Sequence, residues 1–447
     1  MLSFLKLKNF KSFEDIEFDL RGSHGKPKKV AFIYGENGSG KSNLVFSLMF
    51  LVRTLDTLNR EKIKEDRVAE ILSLADERIS EKTLHKFIKM SIPTLADLIE
   101  ECKMIQSIEP MSITIGFSLN ERPGTYSLTF DEHGVVSEEL IYQISKRMGV
   151  MFSITKDKVF LSPTIFKEEG YNAELLENIK KYWGKHTFLS IISNELEIMN
   201  NSYIEDRIHE NFFLVLKWID RLSVWYNNDG GRITMTTPFG FLHNLESGII
   251  ESKNDLELHE FEKALNNFFT SLYSDIKSVY YRVTPHHDEY KYELYFKKKM
   301  NGKVINVPFY LESTGTKKLI QIFPLIFSAV YETTVLIDEV DSGIHDLLML
   351  ELVEFINESL EGQIIATTHN TLLLKNLPKE NVYVINSDIE GHKKIVCIND
   401  FDFRTHKNHS LQSKYLSGDY GGVPFTGHLD LDEIVSDVAE NLSLNKN

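Results

Sequence analysis

Eight residues constrain this chain more than any others: Gly35-Glu36-Asn37-Gly38-Ser39-Gly40-Lys41-Ser42. They fit G-x-x-x-x-G-K-[ST], in which glycines let the backbone fold tightly and aim its N–H groups at phosphate oxygens. The compact apolar run Lys29-Val-Ala-Phe-Ile-Tyr34 precedes the motif and ends at Gly35. After it, Leu44, Leu48 and Leu51 recur at helical spacing, so a helix is expected to start near Ser39–Gly40. A strand, a glycine-rich loop and a helix N-terminus in that order make an anion site. Lys41 is expected to reach the β/γ-phosphates of a nucleotide and Ser42 to ligate Mg²⁺, with Asn43 just behind them.

A second apolar run, Val335-Leu336-Ile337, ends in Asp338-Glu339. Carboxylates at the C-terminal edge of a buried strand stand where an α/β sheet places its ligands. Asp338 is expected to hold Mg²⁺ and Glu339 to orient and deprotonate a water. Gln363-Ile-Ile-Ala-Thr-Thr-His369 is expected to lie beside the Asp338 strand, placing the imidazole within reach of a γ-phosphate. Between these and the first loop, Ser313-Thr314-Gly315-Thr316 precedes a helix marked by Leu319, Ile322, Phe323 and Ile326, a further candidate anion-binding terminus.

Composition sets limits. A length of 447 residues suggests roughly two to four domains. Only Cys102 and Cys397 occur, which excludes a disulfide framework and a four-cysteine zinc site. No run of about 18 apolar residues is present, and the opening segment lacks signal-peptide character, so a cytoplasmic protein without membrane contact is expected. The net charge of −15 argues against a surface that is wholly a nucleic-acid platform.

Along the chain, SFLKLKNF and FEDIEFDL read as strands, and SITIGFSL, TYSLTFD and VVSEELIYQI as an antiparallel meander with turns at Arg122-Pro123-Gly124 and His133-Gly134. Residues 290–297 and 303–310 should pair through an Asn301-Gly302 hairpin turn. The stretch 53–107 reads as charged and helical and 168–275 as mostly helical, with Trp183, Trp218 and Trp225 as core residues of the latter.

In this order, the elements resemble the ATP-binding cassette head of SMC, RecF and OLD-type ATPases of the AAA family, in the bacterial anti-phage defence branch that includes the AbiLi and AriA types. The opening Leu5–Phe13 resembles the first strand of that group, GENGSGKS its Walker A, and STGT at 313–316 its degenerate signature loop. LIDE resembles Walker B, Asp341-Ser342-Gly343-Ile344-His345 the D-loop, and TTHN at 367–370 the His switch. Tyr415-Leu-Ser-Gly-Asp-Tyr-Gly-Gly-Val-Pro424 resembles a late motif of the defence branch.

The resemblance implies an α/β fold: an ABC-type head with an antiparallel β lobe, a mainly parallel core sheet and a helical insertion. It implies ATP and Mg²⁺ bound by Gly35, Glu36, Asn37, Gly38, Ser39, Gly40, Lys41, Ser42 and Asn43 of one subunit and Ser313, Gly315 and Thr316 of another. Lys41, Glu339 and His369 would act in hydrolysis, and Ser42 and Asp338 would hold the metal. A homodimer or higher homo-oligomer would control a protein effector such as a TOPRIM-like nuclease; the alternative is a RecF-like repair ATPase that clamps DNA. The division expected is head at 1–52, helical insertion at 53–107, β meander at 108–165, helical second lobe at 168–275, head at 276–428 and an acidic helix at 429–447. Gln106 and Gln143 are both candidates for the Q-loop.

Other features read as ordinary surface: His286-His287-Asp288 as a polar loop, Asp400 and Asp402 as a pair with no domain around them, and 56–79 as a solvated helix. The basic hairpin Lys297-Lys298-Lys299 with Lys303 reads as a solvated turn, with a DNA or effector contact kept open.

Overall fold

The computed structural model describes residues 1–64, 93–144, 146–198, 201–227, 233–236, 244–251, 255–286, 289–331, 333–401, 410–424, 435–436 and 438–439. Period-two patterning builds its first sheet. In β1 (Leu2–Phe10), Leu5 and Leu7 are buried while Lys6 and Lys8 face solvent. β2 (Phe13–Asp19) folds back on it, and a long antiparallel array follows: β4 (Met111–Leu119), β5 (Arg122–Phe130), β6 (Val135–Ile144), β7 (Arg147–Thr155) and β8 (Val159–Leu161), in the order β2-β1-β4-β5-β6-β7-β8. The meander is thus longer than the sequence suggested and takes in the N-terminal hairpin. Its first turn is at Asn120-Glu121, both in left-handed conformation, and not at Arg122-Pro123-Gly124, which already lies in β5. Pro123 is tolerated there because β6 pairs with β5 only from Thr125 onward.

The second sheet has the order β10-β9-β15-β16-β3-β17-β18. β9 (Ser223–Asn227), β15 (Thr334–Ile337), β16 (Gln363–Thr367), β3 (Val30–Tyr34) and β17 (Val382–Ser387) run parallel; β10 (Ile233–Thr236) and β18 (Lys393–Cys397) close the edges antiparallel. Covered on both faces, β3, β15 and β16 are buried along their whole length, hence their unbroken apolar runs. Ala31 and Ile33 point into one core, with α1 (Lys41–Thr54) and the first sheet; Val30, Phe32 and Tyr34 point into a second.

A third sheet holds β12 (Ile276–His286) and β13 (Glu289–Met300), with β11 (Ser247–Glu251) and β14 (Lys303–Pro308) in succession along one edge of β13. Asn301-Gly302 makes the expected β13–β14 turn.

Helices fill the layers. α2 (Leu95–Cys102) opens on a Thr94–Asp97 capping box; α3 (Glu169–Tyr182), α4 (Phe188–Ile198), α5 (Asn201–Glu205) and α6 (Glu210–Asp220) follow the first sheet in sequence. α7 (Asp255–Leu272), α8 (Thr314–Val330) and α9 (Asp346–Ser359) contribute to the second core, and α10 (Leu411–Leu416) comes last.

The stretch 168–275 is therefore not simply helical. β9 supplies a strand of the core sheet beside the Asp338 strand, and β11 belongs to the third sheet. Trp225 sits on β9, so it belongs to the mainly parallel sheet rather than to a helical lobe. An aromatic-rich run reads equally as helix face or buried strand, and here the free edge of β15 decided. Residues 65–92, within the first helical stretch, lie outside the described residues, as do Asp402, His287, Asp288 and nearly all of the acidic tail.

One buried side chain stitches the sheets together. Gln363 Nε2 donates to the Leu2 and Lys28 carbonyls, while its Oε1 accepts from Leu2 N–H and the Thr334 hydroxyl. Each such bond contributes roughly 1 kcal/mol net, but a partner left unpaired costs about 1–3 kcal/mol, so the amide fixes the register of the chain's first residues. Among the described residues, no helix is long and apolar enough to cross a membrane.

Candidate nucleotide site

The phosphate loop leaves β3 at Gly35 and enters α1 at Lys41. Gly40 caps α1 with φ +104, and a Cβ there would come within 2.7 Å of the Phe13 ring. Glycine is required on both counts. Asn37 and Gly38 form the exposed tip, and Lys393 Nζ of β18 holds the Gly38 carbonyl at 2.8 Å. Glu36, Gly40, Ser42 and Asn43 are half-buried, and the Asn43 amide donates to Ser12 Oγ. Ser39 is buried, with no hydrogen-bond partner for its hydroxyl among the described residues. Lys41 is only 6% exposed and donates to the Gly35 and Glu36 carbonyls at 2.8 and 3.0 Å. Burial pushes its ammonium below the ordinary lysine value, while Asp338, Glu339, Asp341 and Glu36 pull it back up.

Sheet order brings the acids to this lysine. β15 and β3 both flank β16, so the ends of the three strands meet at one edge. Asp338 is 1% exposed and accepts from the Thr367 hydroxyl at 2.6 Å. The same hydroxyl accepts from Glu339 N–H at 2.8 Å. Glu339 takes a left-handed backbone, φ +46, which a non-glycine residue adopts only where its surroundings impose it. His369 lies just past β16 with an exposed edge; desolvation of the covered part of its ring, and then Lys41, lower its pKa from the ordinary histidine value.

The Ser313–Thr316 loop caps α8. Thr316 N–H donates to Ser313 Oγ at 3.2 Å, and the two hydroxyls are 2.9 Å apart. Ser313 is exposed, whereas Thr316 is buried and serves its own loop. Gly315 lies against the Gly343 carbonyl of the segment that follows the acid pair. Among the described residues, no hydrogen bond joins this loop to the phosphate loop.

Several residues that the sequence offered only as parts of motifs acquire specific partners in the structure. Thr367 could have been found by strand pairing: Ile337 opposes Ala366, so the next residue on β16 falls opposite Asp338. Asn370 links the histidine loop to α9 through Asp346 at 2.9 Å, and Tyr34 donates to its carbonyl. The 415–424 segment underpins the phosphate loop. Tyr415 packs edge-on against Tyr34, its hydroxyl holds the Gly422 carbonyl, and a Cβ on Gly422 (φ +68) would meet Val384 at 2.3 Å and Gly35 Cα at 3.4 Å. Gln106 lies in the turn after α2, and Gln143 in β6 opposite Met148. In the basic hairpin, Lys298 is engaged by Glu312 at 3.0 Å and Asp275 at 3.6 Å, which takes it out of a free basic patch.

A family model described as "AAA domain, putative AbiEii toxin, Type IV TA system" matches residues 104–375, well over half of the chain. The chain belongs to this family. It is therefore a P-loop ATPase by family, and the match spans the Ser313 loop, the acid pair and His369. No curated protein matches. Among solved structures, the chain is similar to an SMC head bound to the C-winged helix domain of ScpA: 15% identity, TM-score 0.43, covering 88% of this chain and 97% of that one. It is also similar to the SMC head domain from Thermotoga maritima, at 14% identity and TM-score 0.37, covering 89% and 98%. A third is RecF in the RecFOR pathway, at 11% and 0.34, covering 89% and 98%.

The bridging role of Thr367 gives a direct test. Thr367→Val keeps the shape but leaves Glu339 N–H and Asp338 short of a partner, so kcat should fall about tenfold. Thr367→Ser should recover most of it in a phosphate-release assay, and a valine variant with wild-type turnover would remove the bridge from the site.

Proposed function

We propose that this chain hydrolyses ATP between two copies of itself and that its nucleotide state governs a separate effector in anti-phage abortive infection. The observation that carries the catalytic part is the meeting of Lys41, Asp338, Glu339 and His369 at one sheet edge. The residues suit the ligand: a buried cation beside a buried carboxylate, an unpartnered Ser39 hydroxyl, and a helix N-terminus opened by glycine. Lys41 and the loop N–H groups would bind the phosphates. Ser42 and Asp338 would hold Mg²⁺, which supplies neutralising charge to the phosphate oxygens. Glu339 would take a proton from water as its oxygen bonds to the γ-phosphorus and the bond to the β-phosphate oxygen breaks, releasing ADP. His369 would donate a hydrogen bond to the γ-phosphate.

The second copy is argued from Ser313. This exposed loop has the donors of a helix N-terminus but no bond to its own phosphate loop among the described residues, so it suits a nucleotide held by another subunit. The effector reading rests on the family description and on the acidic charge, −15, which disfavours constitutive DNA coating. A pull-down with the product of the neighbouring gene, run with and without ATP, tests it. Nucleotide-dependent capture is expected. Absence of capture, together with salt-sensitive duplex DNA binding that grows with ATP, would overturn it in favour of the RecF-like reading.

A further inference from the structure

The hydrolysis scheme leaves one buried ionisable group unused. Lys318 lies on α8, one turn beyond the Ser313 cap, and is 5% exposed. Its Nζ has no hydrogen-bond partner among the described residues and stands 3.0 Å from the ring centroid of Trp225. Burial pushes the ammonium down to about 7, and Asp338, Glu339 and Asp341 act in the opposite direction. A lysine so placed costs stability, since a fully buried cation without hydrogen bonds is poorly compensated even over an aromatic face. A methionine of similar length would fill the space without that cost.

The ring beneath Lys318 belongs to the acid-bearing layer. Trp225 opposes Ile337 across the β9–β15 pairing, and its carbonyl accepts from Asp338 N–H at 3.0 Å. Lys318 therefore ties the helix capped by Ser313 to the strand ends that carry the acid pair. The charges acting on it are the carboxylates of Asp338, Glu339 and Asp341, the same three that act on Lys41.

We propose that Lys318 is a positioning residue for hydrolysis, fixing the Asp338–Glu339 turn through Trp225 and through its charge. This rests on the ATPase reading above. Its test compares full-length wild type, Lys318→Met and Lys318→Arg. Lys318→Met should lose about tenfold in kcat with KM for ATP changed by less than about twofold, while melting no lower than wild type. Lys318→Arg, which restores a cation able to stack on Trp225, should recover most of that kcat. Wild-type kcat in the methionine variant, or a loss that arginine does not recover, overturns the proposal. So does a loss accompanied by a lower melting temperature. If Lys318→Met does not fold, Lys318→Gln takes its place under the same criteria, and failure of both to fold makes the ammonium structural and overturns the proposal. A wild type without turnover instead refutes the hydrolysis reading. Lys318 is then judged by Mn²⁺ affinity in the presence of ATP: weakening by at least about threefold in the methionine variant, recovered by arginine, supports it, and unchanged or tighter affinity overturns it.

Discussion

Glu339→Gln should lower turnover by about 10²–10³ while ATP still binds and an ATP-bound dimer accumulates. The amide has the shape of the carboxylate but cannot take the proton of the attacking water. Its backbone position does not depend on the carboxylate, because Glu339 N–H is held by Thr367 Oγ1 and φ is fixed at +46 by the turn. Removing one of two adjacent negative charges also relieves their repulsion with an incoming phosphate, so binding should not weaken. On the proposed two-copy arrangement, ATP would then be retained as the joint between the copies, linking nucleotide binding to association. Phosphate release and light scattering in ATP read the two effects together. Unchanged turnover would sink the assignment of Glu339 as the base.

Lys41→Met should reduce ATP affinity by about a hundredfold and leave no measurable hydrolysis. Lys41 lies under the loop with its ammonium on the Gly35 and Glu36 carbonyls, among Asp338, Glu339 and Asp341. Without it, a polyanionic phosphate chain would face those carboxylates with no buried side-chain cation from the loop. The fold should persist, since methionine fills the same space and a partly desolvated charge is removed. Titration with a fluorescent ATP analogue measures the loss; affinity within about twofold of wild type would show that the backbone cradle alone carries binding.

Much of the site is legible in one dimension because its parts obey local rules. A loop that wraps phosphate needs glycine at Gly40, where both φ and the Phe13 ring forbid a side chain. Parallel strands buried on both faces must be apolar throughout, so Val335–Ile337 and Gln363–Thr367 stand out with their polar termini attached. Helical and strand stretches resist the same reading when their periodicity is ambiguous, as around Trp225, and turns shift by two residues when left-handed Asn120 and Glu121 stand beside a more conspicuous Pro-Gly.

The sequence by itself determined the phosphate loop, the acid pair, the histidine strand and the two sheet types, since each follows from residue type and spacing over a short segment. Tertiary structure alone decided which distant residues serve them. Thr367 bridges the two acids, Gln363 ties the first residues to the core sheet, the 415–424 segment braces Gly35, and Lys318 lies buried on Trp225. Those roles depend on strand order and on close approach between segments far apart in the chain. A burial cost such as that of Lys318 exists only once the surrounding chain has excluded water.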